Sequence, residues 1–122
     1  MAVQDVTVVS VPVSDQERAK AFYVDTLGLE LQRDDDSVPG LRWIQVAPKA
    51  GGTALTLVTW FESMPPGCLR GLVLSSEDLR ADYEQLVAKG VEFDGPPQPQ
   101  PYAALEVVAH DPDGNRLVLQ QA

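Results

Sequence analysis

The stretch Leu27-Gly28-Leu29-Glu30-Leu31 is repeated as Lys89-Gly90-Val91-Glu92-Phe93, 62 positions further along the chain. The same displacement carries Leu55-Thr56-Leu57 onto Leu117-Val118-Leu119. Self-similarity at a fixed period is typical of a duplicated structural unit. Because 122 residues hold about two such periods, we interpret the chain as two copies of one module.

Local patterning predicts the same order of elements in both copies. In the first copy, residues 5–13 are rich in β-branched side chains and are typical of a strand. Ser14 and Glu17 form a capping box that starts a helix, and Gly28 supplies the left-handed position that ends it. Further strands are expected at 29–33, 41–47 and 53–60 around a solvated turn at 34–36, and then at 69–75, 91–93, 102–109 and 115–120. Because one helix covers only one face of a sheet, the other face must contact the second copy of the module, a partner chain or a ligand.

Composition excludes several classes of partner. A net charge of −9 and a pI near 4.3 oppose binding to nucleic acid and to an anionic membrane surface. Cys68 is the single cysteine, so the chain holds no internal disulfide. The N-terminal residues lack the basic and apolar regions of a signal peptide, and no apolar run reaches membrane-spanning length. A cytoplasmic protein is therefore expected.

Four segments resemble the vicinal oxygen chelate superfamily, which includes glyoxalase I, bleomycin-resistance proteins and extradiol dioxygenases. Val11-Pro12-Val13-Ser14-Asp15, followed by Ala21-Phe22-Tyr23 and Leu27-Gly28-Leu29-Glu30, is similar to the start of its first module. Asp111-Pro112-Asp113-Gly114-Asn115-Arg116-Leu117 is similar to its closing hairpin. The resemblance covers nearly the whole chain, and the superfamily hosts many chemistries on one scaffold.

The resemblance implies an α+β fold. It predicts a single domain over residues 1–122, with module 1 at 3–61 and module 2 at 68–121. Two paired βαβββ modules would form a curved mixed sheet with a concave cleft, and the helices would lie on the outer face. A homodimer is also implied, because related single-domain proteins commonly form clefts between chains or exchange modules.

The resemblance also locates the places where enzymes of this superfamily hold a divalent metal. Their ligands are His, Glu or Gln on the first and last strand of each module, and these places fall on Val8, Thr56, Arg70 and Val118. None of these is a normal ligand for a divalent metal, and Arg70 adds a positive charge. We therefore expect no metal site, no cofactor and none of the metal-assisted isomerisation, epoxide-opening or dioxygen chemistry.

Side chains alternate between the two faces of a strand, so residues two positions from those four places should face the cleft as well. The residues expected to face the cleft are Val6, Val8, Ser10, Thr56, Val58, Trp60, Cys68, Arg70, Leu72, Arg116, Val118 and Gln120. The residues expected to face the helices are Val9, Val11, Leu55, Leu57, Val73, Leu117 and Leu119. A mostly apolar cleft with sparse polar groups is typical of small-molecule sites. The predicted ligand-binding residues are Val8, Ser10, Thr56, Val58, Trp60, Arg70, Leu72, Val118 and Gln120.

Some of these side chains have two interpretations. Arg70 would pair either with a ligand carboxylate or enolate, or with an acidic side chain of this acidic protein. Trp60, together with Trp43 and Tyr102, would either stack on a planar ring or pack within the protein or a dimer contact.

Three functional hypotheses follow. The first is a metal-independent binding protein that sequesters a hydrophobic or aromatic molecule such as an antibiotic, as bleomycin-resistance proteins do. The alternative is a glyoxalase- or dioxygenase-type lyase, isomerase or oxygenase, which would use a divalent metal or a metal-free base. Glu106 and His110 are the candidate bases. The third is a structural or regulatory module with a vestigial cleft.

Overall fold

The computed structural model describes residues 2–122 and divides the chain into two compact units between Pro65 and Pro66. Each unit contains a mixed sheet and one helical segment, so the predicted α+β class is confirmed. Within the described residues, no helix has both the length and the apolar character that crossing a bilayer requires.

The first unit has the order strand–helix–strand–strand–strand. Its elements are β1 (Val8–Pro12), α1 (Gln16–Lys20) with a π-helical continuation (Ala21–Thr26), β2 (Glu30–Val38), β3 (Leu41–Ala47) and β4 (Ala54–Val58). The sheet order is β1-β4-β3-β2; β1 runs parallel to β4, and the other pairs are antiparallel.

The second unit repeats this order and adds one short strand. Its elements are β5 (Leu72–Ser75), α2 (Leu79–Ala88), β6 (Glu92–Phe93), β7 (Gln98–Gln100), β8 (Ala103–His110) and β9 (Arg116–Gln121). The sheet order is β5-β9-β8-β6, with β5 parallel to β9, and β7 pairs with β8 as an added edge. Pro99 is tolerated in β7 because an edge strand leaves one side unpaired.

The helix-facing side of the first sheet is the apolar one, as predicted. Val9 pairs with Leu55 and Val11 with Leu57 across β1 and β4, and Val46 lies beside Leu55. All of these except Val9 are buried, as are Ala19 of α1 and the Phe22 and Tyr23 of its π-helical continuation. In the second sheet Val107, Leu117 and Leu119 form the equivalent buried side.

The first helix holds one residue more than the second between its cap and its terminating glycine. The caps are Asp15, which accepts from the Arg18 amide at 3.1 Å, and Asp78 in the second helix. The predicted cap Ser14 is therefore wrong by one position. Asp15 and Asp78 are 63 positions apart, whereas Gly28 and Gly90 are 62 apart.

The π-helical segment absorbs this extra residue. The Leu27 amide donates to the Phe22 carbonyl five residues back, at 2.9 Å, whereas the Lys89 amide in the second helix donates to the Gln85 carbonyl four residues back, at 3.1 Å. A single π-type turn accommodates one added residue without ending the helix. Both helices can then stop at a glycine with positive φ, +82° at Gly28 and +87° at Gly90.

The same offset corrects the predicted facing of β5. Strand β5 pairs with β9 so that Leu72 lies beside Leu117 and Val73 beside Val118. Leu72 therefore faces the buried side and Val73 the open side, the reverse of the prediction. The prediction placed β5 by adding 62 to the residue numbers of β1. The first strand and helix cap of the second copy instead lie 63 positions after those of the first copy.

The acidic run at 34–36 belongs to β2 and is not the predicted turn. Asp34 pairs with Ile44, so it shares the helix-facing side of the sheet. It accepts from Arg42 and from Lys20, each at 2.8 Å, and Arg42 also bridges to Glu17 at 2.6 Å. These cations neutralise the carboxylate and connect β2 and β3 to α1, so the strand continues through the run.

This ion-pair network predicts an acid-dependent loss of stability. Hydrogen bonds from Arg42 and then Lys20 hold the pKa of Asp34 well below its ordinary value of 3.8. A carboxyl whose pKa is lower in the folded state stabilises the fold above its unfolded pKa, and the contribution is lost as the pH falls through the folded value. The urea midpoint of the wild-type protein should fall as the pH is lowered from about 4 to about 2, and Asp34→Asn is expected to make this fall smaller. Asp36→Asn, at an exposed position of the same strand, is the control and should leave the fall unchanged.

Candidate functional site

The face of the first sheet that lies opposite the helix carries a row of neutral polar groups, of which Ser10 and Gln45 are partly exposed and Thr56 is buried. Ser10 lies opposite Thr56, and Thr56 lies opposite Gln45, so the three share one face across β1, β4 and β3. The Ser10 and Thr56 hydroxyl oxygens are 3.2 Å apart. Val8 and Val58, two residues from Ser10 and Thr56, share this face. These four residues therefore share one face, as predicted, and their contact with a ligand stays a prediction.

An aromatic cluster lies on the same face. Trp43 is two residues before Gln45 in β3, and its ring stacks on Trp60 with centroids 6.1 Å apart and planes 25° apart. Phe61 continues the cluster at 6.0 Å from Trp60 and is 45% exposed. The guanidinium of Arg33 lies 5.7 Å from the centroid of the Trp43 ring. The cluster therefore has an exposed aromatic end at Phe61 and a cation near the Trp43 ring.

Two amide side chains extend from the aromatic cluster along the sheet, and Gln45 among them lies opposite Thr56. The Trp43 Nε1–H donates to Gln45 Oε1 at 3.0 Å, and Gln45 Nε2 donates to Gln32 Oε1 at 2.9 Å. Sequence reasoning missed Gln45 and Arg33 as members of this face. Alternation along β3 from Trp43 would have found Gln45, whereas Arg33 depends on the bulge between Leu31 and Arg33 in β2.

The open face of the second sheet has an apolar centre. Val73, Val118 and Val108 lie side by side across β5, β9 and β8. Val73 is 50% exposed, so this part of the face is accessible. Val118 thus lies on the open face, as predicted, although none of the three valines offers a polar group.

A hydrogen-bonded chain lies at one end of the valine row. Glu106 pairs with Gln120 across β8 and β9; its Oε1 accepts from Gln120 Nε2 at 2.9 Å and its Oε2 from the Tyr102 hydroxyl at 2.8 Å. This carboxylate raises the pKa of Tyr102, so the phenol remains a donor. Tyr102 is thereby a partner of Glu106 within the protein.

A second polar cluster lies at the other end of the row. His110 Nε2 is 2.6 Å from Asp94 Oδ1, and Arg116 is 3.7 Å from the same carboxylate. The hydrogen bond from His110 lowers the pKa of Asp94. Because Glu106 and His110 are four residues apart on β8, their Cα atoms are about 14 Å apart. The two candidate bases therefore lie at opposite ends of the face.

Arg70 contacts backbone carbonyls of its own connector, and its contact with a ligand stays a prediction. It precedes β5, is exposed, and its Nη1 donates to the carbonyl oxygens of Gly67 and Leu69, each at 2.8 Å. Backbone carbonyls therefore take the place of the predicted acidic partner. Cys68, in the same connector, is also exposed.

The residues that the resemblance placed at the superfamily's metal positions offer few ligands for a divalent cation. The displacement of 63 moves the counterpart of Val8 from Arg70 to Gly71, which has no side-chain donor. The Thr56 hydroxyl contacts Ser10, while Val8 lies beside Ala54 and Val118 beside Val73. Across residues 2–122, no three or more His, Cys, Asp or Glu side chains come together in a way that would hold a metal ion. Neutral hydroxyls and aliphatic groups are poor ligands for the metals in question.

The chain is similar in sequence and structure to proteins of one superfamily. Residues 5–119 match the family model of the Glyoxalase/Bleomycin resistance protein/Dioxygenase superfamily. The crystal structure of TnmS3, an antibiotic binding protein from Streptomyces sp. CB03234, is 50% identical with a TM-score of 0.92, covering 99% of this chain and 98% of that one. A superfamily member from Sphaerobacter thermophilus DSM 20745 is 34% identical with a TM-score of 0.93 and full coverage of both chains, 100% each. The uncharacterized protein YetH of Bacillus subtilis (strain 168) is 31% identical, covering 98% of this chain and 99% of YetH.

Proposed function

Because the chain belongs to the Glyoxalase/Bleomycin resistance protein/Dioxygenase superfamily, as its motifs predicted, we propose that it is a metal-independent binding protein for a hydrophobic or aromatic small molecule such as an antibiotic. The observation that carries this proposal is the aromatic cluster of Trp43, Trp60 and Phe61 beside a row of neutral hydroxyl and amide groups. TnmS3, at 50% identity, is an antibiotic binding protein, which supports the same role here.

The chemistry of this face suits binding better than turnover. Aromatic rings supply apolar area and favour offset stacking on a flat ligand. The partly exposed hydroxyl of Ser10 and amide of Gln45 can donate and accept, so they match a ligand's carbonyl and hydroxyl groups, while the buried Thr56 hydroxyl contacts Ser10 from within the protein. The Ser10–Thr56–Gln45 row carries no charge, so it offers no general base, and the cation beside it is Arg33, at the Trp43 ring.

We include a homodimer in this proposal, with sequestration in the cytoplasm as the physiological setting. Static light scattering of the purified protein at micromolar concentration would give the mass in solution. A mass of one chain, 13.2 kDa, at all concentrations would contradict the dimer.

The direct test is tryptophan fluorescence. The chain has two tryptophans and both lie in the cluster, so quenching reports on a ligand that binds near this cluster. We expect a panel of aromatic antibiotics to contain at least one compound that quenches the emission saturably and is recovered unchanged. The absence of saturable quenching across the panel would contradict a ligand site at this cluster.

Removing one ring is expected to weaken binding strongly. Trp60→Ala should reduce the affinity of such a compound by about 30-fold, because truncating a central aromatic anchor typically costs about 2 kcal/mol. Trp60→Phe keeps a ring and should lose less than tenfold, about 1 kcal/mol. Isothermal titration calorimetry measures both variants without relying on their fluorescence. Equal affinities for wild type and Trp60→Ala would place the ligand elsewhere.

A further inference from the structure

Glu106 differs from the other carboxylates that make side-chain contacts on the two sheets. Asp34 and Asp35 pair with Arg or Lys, and Asp94 lies against His110 and Arg116. Glu106 accepts only from neutral donors, the Tyr102 hydroxyl and the Gln120 amide. Among residues 2–122, no lysine, arginine or histidine forms an ion pair with it.

The two neutral donors hold this carboxylate in one orientation. Gln120 lies directly opposite Glu106 across β8 and β9, and each carboxylate oxygen takes one donor. An ionised carboxylate has about four lone-pair positions, so positions remain for another donor. A group already oriented in this way loses little conformational entropy when a ligand binds.

The surroundings of Glu106 favour a ligand that combines charge with apolar surface. Glu106 is half-buried, and Val108 lies two residues away on the same face of β8, beside Val118 and Val73. A partly desolvated carboxylate gains more from a cation than a solvated one does. The net charge of −9 also raises the local concentration of cations. A calcium or magnesium ion fits less well, because such ions require about six or more oxygen ligands and one carboxylate supplies two.

We propose that the open face of the second sheet is a subsite for an organic ammonium group, with Glu106 as its counter-ion and the Val73–Val108–Val118 row as the support for its apolar body. The inference rests on the proposed binding function and deepens it by naming a ligand class, apolar or aromatic amines. Glu106 thereby acts in recognition, and no proton abstraction is required of it.

A matched pair of probes tests the charge. The probe is 2-(aminomethyl)naphthalene, which is cationic at neutral pH, and its comparator is the neutral 2-(hydroxymethyl)naphthalene. Calorimetric titration of the full chain is expected to give about tenfold or greater preference for the amine, since a charge-assisted hydrogen bond exceeds a neutral one by about this factor. The preference should shrink as the salt concentration rises.

Glu106→Gln removes the charge while keeping the size and one carbonyl oxygen. We expect it to reduce the affinity for the amine to that for the alcohol and to leave the alcohol unaffected. Glu92→Gln, at an exposed carboxylate of the same unit, removes the same net charge and should keep the preference. If Glu106→Gln does not fold, as judged by circular dichroism, two tests remain. The amine preference should be lost when wild-type protein is titrated in high salt, and it should be retained at low salt in Glu92→Gln.

The outcomes separate this subsite from the function on which it rests. Equal wild-type affinities for the two probes, retained preference in Glu106→Gln, or equal loss in Glu92→Gln would each overturn the subsite. If neither probe binds wild type but aromatic antibiotics still quench the tryptophans, the subsite is overturned and the proposed function stands. If quenching also fails, both are overturned.

Discussion

Gly67→Ala is expected to lower the free energy of unfolding by about 3 kcal/mol or more. Gly67 has φ of +85°, and a Cβ atom at this position would collide with the backbone carbonyl oxygen of Asp113. The left-handed conformation costs a non-glycine residue about 1–2 kcal/mol, and forcing an atom into a packed site adds about 1–3 kcal/mol. Urea denaturation monitored by circular dichroism measures the loss.

Gly71→Ala separates the two contributions. Gly71 has φ of +78°, but a Cβ atom there meets no heavy atom within 4 Å. It should therefore lose only the conformational part, about 1–2 kcal/mol. Equal losses in the two variants would mean that the connector does not pack tightly on the turn that contains Asp113. A loss of 3 kcal/mol is large against the usual total of about 5–15 kcal/mol.

Asn115→Ala is expected to cost about 3 kcal/mol of unfolding free energy. Asn115 is completely buried; its Oδ1 accepts from the Leu69 amide at 3.0 Å and its Nδ2 donates to Asp111 Oδ2 at 2.8 Å. Alanine removes an acceptor from a backbone amide and a donor from Asp111, which is only 4% exposed. Each such loss typically costs about 1–3 kcal/mol, and more when the group is charged.

Two further variants test this explanation by the same urea titration. Asn115→Asp would keep the acceptor but place a second carboxylate against Asp111, so it should lose at least as much stability at neutral pH and recover part of it in acid. Gln4→Ala removes an amide from an exposed position and should change the unfolding free energy by less than about 0.5 kcal/mol. A small loss in Asn115→Ala would mean that water replaces its hydrogen bonds.

The patterns that predicted the fold correctly are local ones. Alternation of β-branched residues located β1 and β3 to within a few residues, and the terminating glycines marked where both helices end. The repeat at 62 positions predicted the duplicated order of elements, because each copy must hide one apolar sheet face under one helix. These signals reflect local backbone preferences and the burial of apolar side chains, so they can be recognised in a single sequence.

Two of the errors arose where one segment's position depends on another's. Leu72 and Val73 exchanged faces because one added residue in the first helix, absorbed as a π-type turn, shifts the repeat from 62 to 63. Nothing in the composition of that helix indicates which segment absorbs the residue. The acidic run at 34–36 was likewise predicted as a turn because its neutralising partners, Lys20 and Arg42, are distant in sequence.

For the candidate ligand-binding faces, too, sequence predicted the local features and the tertiary structure decided the contacts between distant residues. Residue order alone indicated that Ser10 and Thr56 face the same way, because side-chain direction follows from alternation along a strand. Folding brought Trp43 onto Trp60, and it placed the neutral donors Tyr102 and Gln120 against Glu106. Those contacts depend on strand register, and most of them join side chains that are far apart in the chain. Neither the register nor the contact can be predicted from a local sequence pattern.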